Sequence, residues 1–566
     1  MAEIRIELDV PAEMRDGTVL RADIYRPDGP GPWPVLLSRL PYGKQTPMMT
    51  SMLDPTAAAR RGFMVVLQDT RGRFASDGEW DPFTYEESDG YDTVRWAAAL
   101  PGANGSVGMI GGSYFGNTQW MAALSKPPEL KAMAPMVTWS DPDDGLWTRG
   151  GAIELGLTVP WSLLQGADTL MRRHSADLDG LVSGITGLIS DFDALAHGGY
   201  GELPAGRFPA FARHDRPELG YERSRREPEW SRSSRVAGRH DEVDLPTFQV
   251  GGWYDVFSQG TLDNFTAMRR AGRSATLIMG PWAHTNLRHV VGDVNFGFGA
   301  HSDYMAMRGR LSDMQLDWFQ RTIGDGEALE PDTGKVLLFV MGVNQWREET
   351  EWPLSRAVDT DFHLRADGRL TLEPPSTAEH TRGPEEFTYD PMDPVPTTGG
   401  ALLMGSGLLM ADESRPGPLD QTAVEAREDV LVFTTEPLTE DVEVTGRVRA
   451  VLFAATDGPS TDWVARLCDV DENGVSRNVT DGIVRVRAAT AGEAAEHVVD
   501  LWSTSIVFRA GHRIRVQVTS SNFPRWDRNL NTGEPEESAT TARVARQQIF
   551  HDPSRPSRIV LPVVPA

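Results

Sequence analysis

Short apolar runs alternate with helical patterns over the first quarter of the chain. Continuous apolar stretches are typical of strands that a parallel sheet buries on both faces. The predicted elements are strand 33–40, strand 62–69, helix 89–100, strand 106–111, helix 114–124 and strand 131–137. This order predicts an α/β fold with a mostly parallel sheet.

The alternation breaks between residues 141 and 244, where no strong strand pattern precedes Pro246. The elements predicted here and beyond are helix 155–170, helix 178–195, strand 245–250, strand 275–280 and helix 304–323. We therefore predict that residues 141–244 form a mostly helical insertion. The flanking segments 1–140 and 245–345 would form one α/β domain.

Strand patterns separated by turn residues dominate after residue 345. They cover residues 360–364, 429–434, 442–453, 463–470, 482–486, 514–519 and 558–564. Short strands in this arrangement predict a β-sandwich or jelly roll, so residues 346–566 are expected to form a separate C-terminal domain.

Charge and apolar content limit the partners. The 566 residues include 81 acidic and 55 basic side chains, for a net charge of −26, whereas a nucleic-acid partner needs a concentrated basic face. No segment approaches the ~18 consecutive apolar residues of a membrane-spanning helix, and residues 1–10 lack the pattern of a signal peptide. We expect a cytoplasmic protein without nucleic-acid or membrane partners. A homodimer is left open.

The strongest chemical signal is the string GGSYFG at residues 111–116. A Gly-x-Ser-x-Gly elbow turns sharply from strand to helix and exposes the serine hydroxyl above the sheet. Here a predicted strand precedes Ser113 and a predicted helix follows it. The second glycine falls one place late, because Phe115 stands where the simple pattern has glycine.

A serine nucleophile needs an imidazole base that a carboxylate orients. In α/β-hydrolases these partners follow the serine in the order acid, then histidine. Asp255 and His284 each come just after a predicted strand, where open α/β sheets place their sites. Asp263 is the nearest rival acid, but it lies inside the next helical pattern.

Acyl chemistry also needs hydrogen-bond donors for the developing oxyanion. The backbone N–H of Tyr114, the residue after the nucleophile, is one candidate. The loop of residues 41–44 can supply a second donor, either the Tyr42 hydroxyl or a nearby backbone N–H, and the spacing does not choose between them.

Metal chemistry finds no support in the sequence. Residues 469–474 (DVDENG) open like a calcium loop, but the twelfth position is Thr480 instead of a glutamate, and strand patterns flank the string. His284 and His289 are five residues apart in a predicted loop. With a single cysteine, Cys468, a cysteine-ligated cluster is excluded. We predict neither a metal nor an organic cofactor.

These residues sit in strings that resemble the cocaine esterase-like (CocE/NonD) serine hydrolases, relatives of X-Pro dipeptidyl-peptidases and α-amino acid ester hydrolases. The strings follow one another along essentially the whole chain. They are residues 40–44 (LPYGK), 68–78 (QDTRGRFASDG), 112–120 (GSYFGNTQW), 251–255 (GGWYD), 280–284 (GPWAH), 441–446 (DVEVTG), 520–529 (SSNFPRWDRN) and 556–562 (PSRIVLP).

The resemblance implies an α/β-hydrolase domain with an inserted helical cap and a C-terminal jelly roll of the galactose-binding-like type. It makes the displaced glycine an expected feature of the elbow. It also implies that the Tyr42 hydroxyl joins the Tyr114 N–H in the oxyanion hole. In the cocaine-cleaving members aromatic side chains hold an aromatic acyl group. Trp147, Trp161 and Phe257 lie at similar places and are candidate pocket walls.

The resemblance says less about the substrate class than about the catalytic residues. Amino acid-selective relatives hold a substrate ammonium with carboxylates, and Asp141, Asp143 and Asp144 could do so. Three acids before a glycine are, however, typical of a solvated turn. The C-terminal domain is expected to help close the cleft, with residues 399–404 as a candidate contributor.

We therefore predict a serine hydrolase that cleaves small-molecule carboxylic esters through an acyl-enzyme on Ser113. An amide-directed relative is the alternative: an acylase, an X-Pro dipeptidyl-peptidase, an α-amino acid ester hydrolase or an acyltransferase. A non-catalytic carbohydrate-binding protein is a distant alternative, which the intact set of Ser, Asp, His and Tyr disfavours.

Overall fold

A ten-stranded, largely parallel sheet forms the centre of the first part of the chain, with strand order β1-β2-β4-β3-β5-β6-β9-β10-β13-β14. The computed structural model describes residues 3–46, 52–213, 219–307, 309–324, 335–376, 383–403 and 415–565. The strands of this part are β1 (Ile4–Glu13), β2 (Val19–Pro27), β3 (Trp33–Leu40), β4 (Met64–Asp69), β5 (Ala103–Gly112), β6 (Leu130–Met136), β7 (Thr148–Arg149), β8 (Ala152–Ile153), β9 (Thr247–Tyr254), β10 (Ala275–Ala283), β11 (Val290–Val291), β12 (Val294–Asn295), β13 (Val336–Val340) and β14 (Gln345–Glu349).

Helices cover both faces of this sheet. In chain order, the described α-helices of the whole chain, those outside this sheet included, are α1 (Pro55–Arg60), α2 (Glu86–Ala98), α3 (Tyr114–Leu124), α4 (Leu155–Arg173), α5 (Leu178–Ala194), α6 (Pro209–Arg213), α7 (Arg223–Arg226), α8 (Pro228–Ser231), α9 (Ser258–Arg270), α10 (Leu311–Thr322) and α11 (Thr422–Glu425). Side chains on a strand alternate between faces. Val35 and Leu37 of β3 therefore join the core beneath α2, α3 and α9, whereas Leu36 packs on the side of α1 and α10.

Helices α4 and α5 dominate the segment that follows β6 and precedes β9. Helix α4 covers the residues predicted as helix 155–170, and α5 covers all but the last residue of the predicted helix 178–195. The prediction of helix 304–323 was wrong at its start, because the helix begins only at Leu311. Ala306 and Met307 have φ values of 49° and 59°, and right-handed helices do not continue through such residues.

The last part of the chain consists mostly of strands. They are β15 (Val358–Leu364), β16 (Leu370–Thr371), β17 (Glu385–Tyr389), β18 (Leu431–Thr434), β19 (Val442–Thr456), β20 (Thr461–Val470), β21 (Ser476–Val486), β22 (Ala495–Phe508), β23 (Arg513–Thr519), β24 (Ala545–Asp552), β25 (Arg555–Pro556) and β26 (Arg558–Val564). An eight-stranded sheet has β19 among its central strands, where it pairs with β22, β24 and β26. A four-stranded sheet has the order β18-β23-β20-β21.

The inserted segment contacts this strand-rich part directly. Arg149 on β7 is buried, stacks over the Trp502 ring at 3.6 Å and donates to the Asp481 carbonyl at 2.7 Å. The Trp526 indole donates to Glu154 at 2.9 Å. These contacts join the segment that begins after β6 to strands more than 300 residues away.

Of the helices that the structure describes, none is both long enough and apolar enough to cross a membrane. The cytoplasmic location stays a prediction from the sequence.

The turn between β7 and β8 gives a test of this packing. A Cβ at Gly150, where φ is 55°, would lie 1.9 Å from the Ile483 carbonyl oxygen on β21. At the neighbouring Gly151, also at positive φ, the nearest atom would be 3.4 Å away. Overpacking costs ~1–3 kcal/mol. We expect Gly150→Ala to lower the thermal unfolding midpoint by about 2–5 °C more than the matched control Gly151→Ala.

Differential scanning fluorimetry of the two variants measures this difference. Equal midpoints would contradict the close approach of the two backbones.

Candidate active site

Ser113 occupies a sharp turn between β5, which ends at Gly112, and α3, which begins at Tyr114. Its backbone has φ 57° and ψ −126°, a conformation that a residue with a Cβ rarely adopts. Backbone strain of this kind persists only where the surrounding structure enforces it, and it is concentrated at functional sites. The turn is the strand-to-helix elbow that the sequence predicts.

Packing explains why the second glycine is displaced. A Cβ at Gly111 would lie 2.1 Å from the Phe115 ring, so the glycine makes room for that ring. A Cβ at Gly116 would lie 2.9 Å from the Thr138 Cβ and 3.0 Å from the Met136 carbonyl oxygen. The close approach of α3 to β6 therefore falls at position 116, and position 115 is free to carry an aromatic side chain.

Asp255 and His284 meet Ser113 at the carboxyl ends of the strands. Asp255 directly follows β9 and His284 directly follows β10. His284 Nε2 lies 3.0 Å from Ser113 Oγ, and His284 Nδ1 lies 2.6 Å from Asp255 Oδ1. Asp255 is fully buried. The rival Asp263 lies on α9 and accepts from Gln259 at 2.7 Å, and burial raises its pKa to about 6.

Two donors lie close to the Ser113 hydroxyl. The Tyr114 N–H is the first of α3, and the first turn of a helix leaves its N–H groups without intrahelical acceptors. The Tyr42 hydroxyl is within hydrogen-bonding reach of the Ser113 side chain and accepts from the Trp161 indole at 3.1 Å. Burial raises the pKa of Tyr42 to about 12.

A buried ion pair holds the loop that carries Tyr42. The Lys44 backbone N–H donates to Asp69 Oδ1 at 2.8 Å, and the Lys44 ammonium donates to Oδ2 at 2.9 Å. Arg73 donates to the Pro41 carbonyl at 2.8 Å. The loop is thus fixed on both sides of Tyr42.

The side chain of Tyr114 has a structural role beneath the site. Its hydroxyl donates to Glu86 Oε1 at 2.9 Å and accepts from the Phe83 N–H at 3.0 Å. Glu86 in turn pairs with Arg39 at 2.9 Å. Burial and the Glu86 carboxylate raise the pKa of Tyr114 well above its usual range, so the hydroxyl stays protonated.

A cavity of about 830 Å³ opens above Ser113. The three predicted wall residues, Trp147, Trp161 and Phe257, all line it. The further apolar lining includes Phe83, Trp139, Leu146 and Leu157, which the sequence did not single out, and Leu403. Leu403 is part of the segment 399–404 that we expected to contribute. Met404 lies outside the described residues.

The acidic turn does not reach the cavity. Asp141 pairs with Arg235, and Asp143 accepts from the Ser231 hydroxyl at 3.1 Å. Asp144 faces Arg149 and the strand-rich part, and burial raises its pKa. None of the three acids is among the described residues that line the cavity.

The calcium-like string at residues 469–474 belongs to a hairpin. It connects β20 to β21, which pair in antiparallel fashion. The Asp471 carboxylate accepts from the Asn473 and Val475 N–H groups within the turn. Among the described residues, no group of three or more His, Cys, Asp or Glu side chains is arranged to hold a metal ion.

A serine–histidine–aspartate arrangement at the carboxyl edge of such a sheet defines an α/β-hydrolase-like enzyme with a strand-rich C-terminal domain. Residues 16–286 match the X-Pro dipeptidyl-peptidase (S15 family) model, and residues 330–560 match the C-terminal non-catalytic domain of X-Pro dipeptidyl-peptidases. The chain is 36% identical to the cocaine esterase of Rhodococcus sp. (strain MB1 Bresler), and the match covers 98% of each chain. The chain belongs to the cocaine esterase-like (CocE/NonD) family of serine hydrolases.

Two crystal structures share the whole fold. An aminopeptidase from the marine sediment archaeon Thaumarchaeota archaeon has a TM-score of 0.79 at 24% identity, with 100% of this chain and 97% of that chain covered. An α-amino acid ester hydrolase also has a TM-score of 0.79 at 24% identity, with 99% and 97% covered. The predicted family, the α/β class and the enzyme class are confirmed: the protein is a hydrolase that acts on esters or related substrates.

The raised pKa of Tyr42 leads us to predict how kcat/KM depends on pH in the alkaline range. A hydroxyl donates only while it is protonated, and an unperturbed tyrosine begins to ionise as the pH nears ~10. With a pKa of about 12, Tyr42 keeps its proton past that point. We expect kcat/KM for p-nitrophenyl acetate to stay level up to about pH 10.5.

A pH–rate profile measures this, with tryptophan fluorescence at each pH as the control for unfolding. A decline with an apparent pKa near 10 while the protein stays folded would contradict a buried, protonated Tyr42.

Proposed function

We propose that the protein hydrolyses carboxylic esters through an acyl-enzyme on Ser113. His284 Nε2 accepts the hydroxyl proton as Ser113 Oγ forms a bond to the carbonyl carbon. When the tetrahedral intermediate collapses, the bond to the alcohol oxygen breaks and His284 returns the proton to the leaving alcohol. A water molecule, deprotonated by the same imidazole, then attacks the acyl carbon; the bond to Ser113 Oγ breaks, His284 returns the proton to Ser113, and the acid leaves. The observation that carries the proposal is the Ser113–His284 contact of 3.0 Å on the floor of the cavity.

Asp255 supports the histidine. It accepts from His284 Nδ1, which fixes the tautomer with a bare Nε2 facing Ser113, and it stabilises the imidazolium that forms. The Tyr114 N–H and the Tyr42 hydroxyl donate to the oxyanion. Removal of a single donor of this type costs ~10²–10³-fold in kcat.

The lining of the cavity favours an uncharged, apolar acyl group. Trp147, Trp161 and Phe257 form its wall, and the first and last of these are almost fully buried. Among the described lining residues, the only carboxylate is that of Asp303, whose side chain is exposed. A substrate ammonium would find no buried counter-ion there, so we favour plain esters over amino acid esters and peptides.

We also propose the domain arrangement. Residues 1–140 and 245–349 form the hydrolase domain, residues 141–244 its helical cap, and residues 350–566 a jelly roll of the galactose-binding-like type. The boundary expected at residue 345 moves to residue 349, because β14 pairs with β13 in the hydrolase sheet. The two helices α4 and α5 of the insertion support the cap, and the two sheets built from β15–β26 support the jelly roll.

Steady-state turnover of a small substrate panel tests the function. The panel contains p-nitrophenyl acetate and butyrate, an aryl benzoate, an amino acid methyl ester and Gly-Pro-p-nitroanilide. We expect turnover of the plain esters and a loss of at least about 10⁴-fold in kcat for Ser113→Ala, as is typical when a triad member is removed. Ser162→Ala, a buried serine on α4 that does not line the cavity, is the matched control.

Turnover of the anilide or the amino ester alone would replace the ester proposal with the amide-directed alternative. Ester turnover that persists in Ser113→Ala would contradict the mechanism itself.

A further inference from the structure

The Tyr42 hydroxyl has two polar neighbours. The Trp161 indole Nε1–H donates to it at 3.1 Å. Ser113 is a neighbour of the same hydroxyl and lines the same cavity. Ser113 continues to His284 and His284 to Asp255. These five side chains follow one another from Trp161 to Asp255, and we call them the triad chain.

The residues at the two ends of the triad chain determine which atoms donate and which accept along it. An indole N–H is a donor only, whereas an ionised carboxylate is an acceptor only. Asp255 therefore accepts from His284 Nδ1–H, which leaves Nε2 to accept from the Ser113 hydroxyl. At the other end Trp161 occupies one side of the Tyr42 oxygen. Because that N–H can only donate, the single phenolic hydrogen turns away from Trp161 and is free to point toward Ser113.

We propose that Trp161 is a positioning residue for the oxyanion hole: its indole N–H directs the Tyr42 hydroxyl hydrogen to the point where the oxyanion forms. This inference rests on the proposed function and adds a second duty to a residue that otherwise serves as a pocket wall. A phenol without this neighbour has two in-plane orientations for its hydrogen. Trp161 selects the productive one before substrate arrives.

Arg73 fixes the position of Trp161 relative to Tyr42. It donates to the Pro41 carbonyl, next to Tyr42, at 2.8 Å. It also donates to the carbonyl and the side-chain oxygen of Gln165, one turn after Trp161 on α4, at 3.1 and 2.9 Å. One buried guanidinium therefore links the Tyr42 loop to the helix that carries Trp161.

Trp161→Phe tests the proposal because it keeps an aromatic ring and removes only the N–H and part of the ring area. We expect kcat for p-nitrophenyl acetate to fall about 5- to 10-fold, the effect of one neutral hydrogen bond, with KM changed less than about 2-fold. The small acetyl group limits any contribution from altered wall packing.

A double-mutant cycle with Tyr42→Phe separates orientation from packing. In the Tyr42→Phe background no hydroxyl is left to orient, so we expect Trp161→Phe to change kcat less than about 2-fold. Trp147→Phe makes the same chemical change in a wall residue whose indole nitrogen has no hydrogen-bond partner among the described residues. Its effect on acyl preference should be the same in both backgrounds.

Where turnover of a variant is too slow, the rate constant for inactivation by diethyl p-nitrophenyl phosphate replaces kcat, since its phosphoryl oxygen enters the same oxyanion hole. Equal effects of Trp161→Phe with and without the Tyr42 hydroxyl, or no effect in the wild type, would overturn the proposal. Activity that survives Ser113→Ala would instead overturn the proposed function, so the two failures are distinguishable.

Discussion

The parallel direction of neighbouring strands is the constraint on which the site depends. Strands β5, β6, β9 and β10 lie side by side, and their carboxyl ends meet at one edge of the sheet. Ser113, Asp255 and His284 each follow one of these strands directly. Residues separated by 171 positions therefore come within hydrogen-bonding distance without any special loop. A register shift in this sheet would separate all three.

Several contacts above the sheet hold the residues at that edge in place. The strained backbone at Ser113 is enforced by close packing of α3 on β6 through Gly116. The Tyr42 loop is held by the Lys44–Asp69 pair, and Arg73 ties it to α4. The inserted segment thereby supplies both a pocket wall and a fixed partner for the Tyr42 hydroxyl.

The elements next to the chemistry are the ones that the sequence predicts best. Strand β3 and helix α3 have the predicted bounds, because continuous apolar runs and the glycine-rich elbow leave few alternatives. Strands β22 and β24 were missed, because polar residues interrupt their apolar pattern. Phe83 reaches the cavity from a distant loop, which no local pattern indicates. Arg73 stands in a string that carried the family resemblance, but only its contacts reveal its role.

Direct detection of the acyl-enzyme tests whether Ser113 is the nucleophile. The wild-type protein would be mixed with p-nitrophenyl butyrate, quenched with acid within milliseconds, digested and analysed by mass spectrometry. We expect a butyryl group on the peptide that contains Ser113, assigned to that residue by fragmentation, and no such adduct in Ser113→Ala. A butyryl group on another residue, or burst release of p-nitrophenol with no covalent adduct, would contradict it.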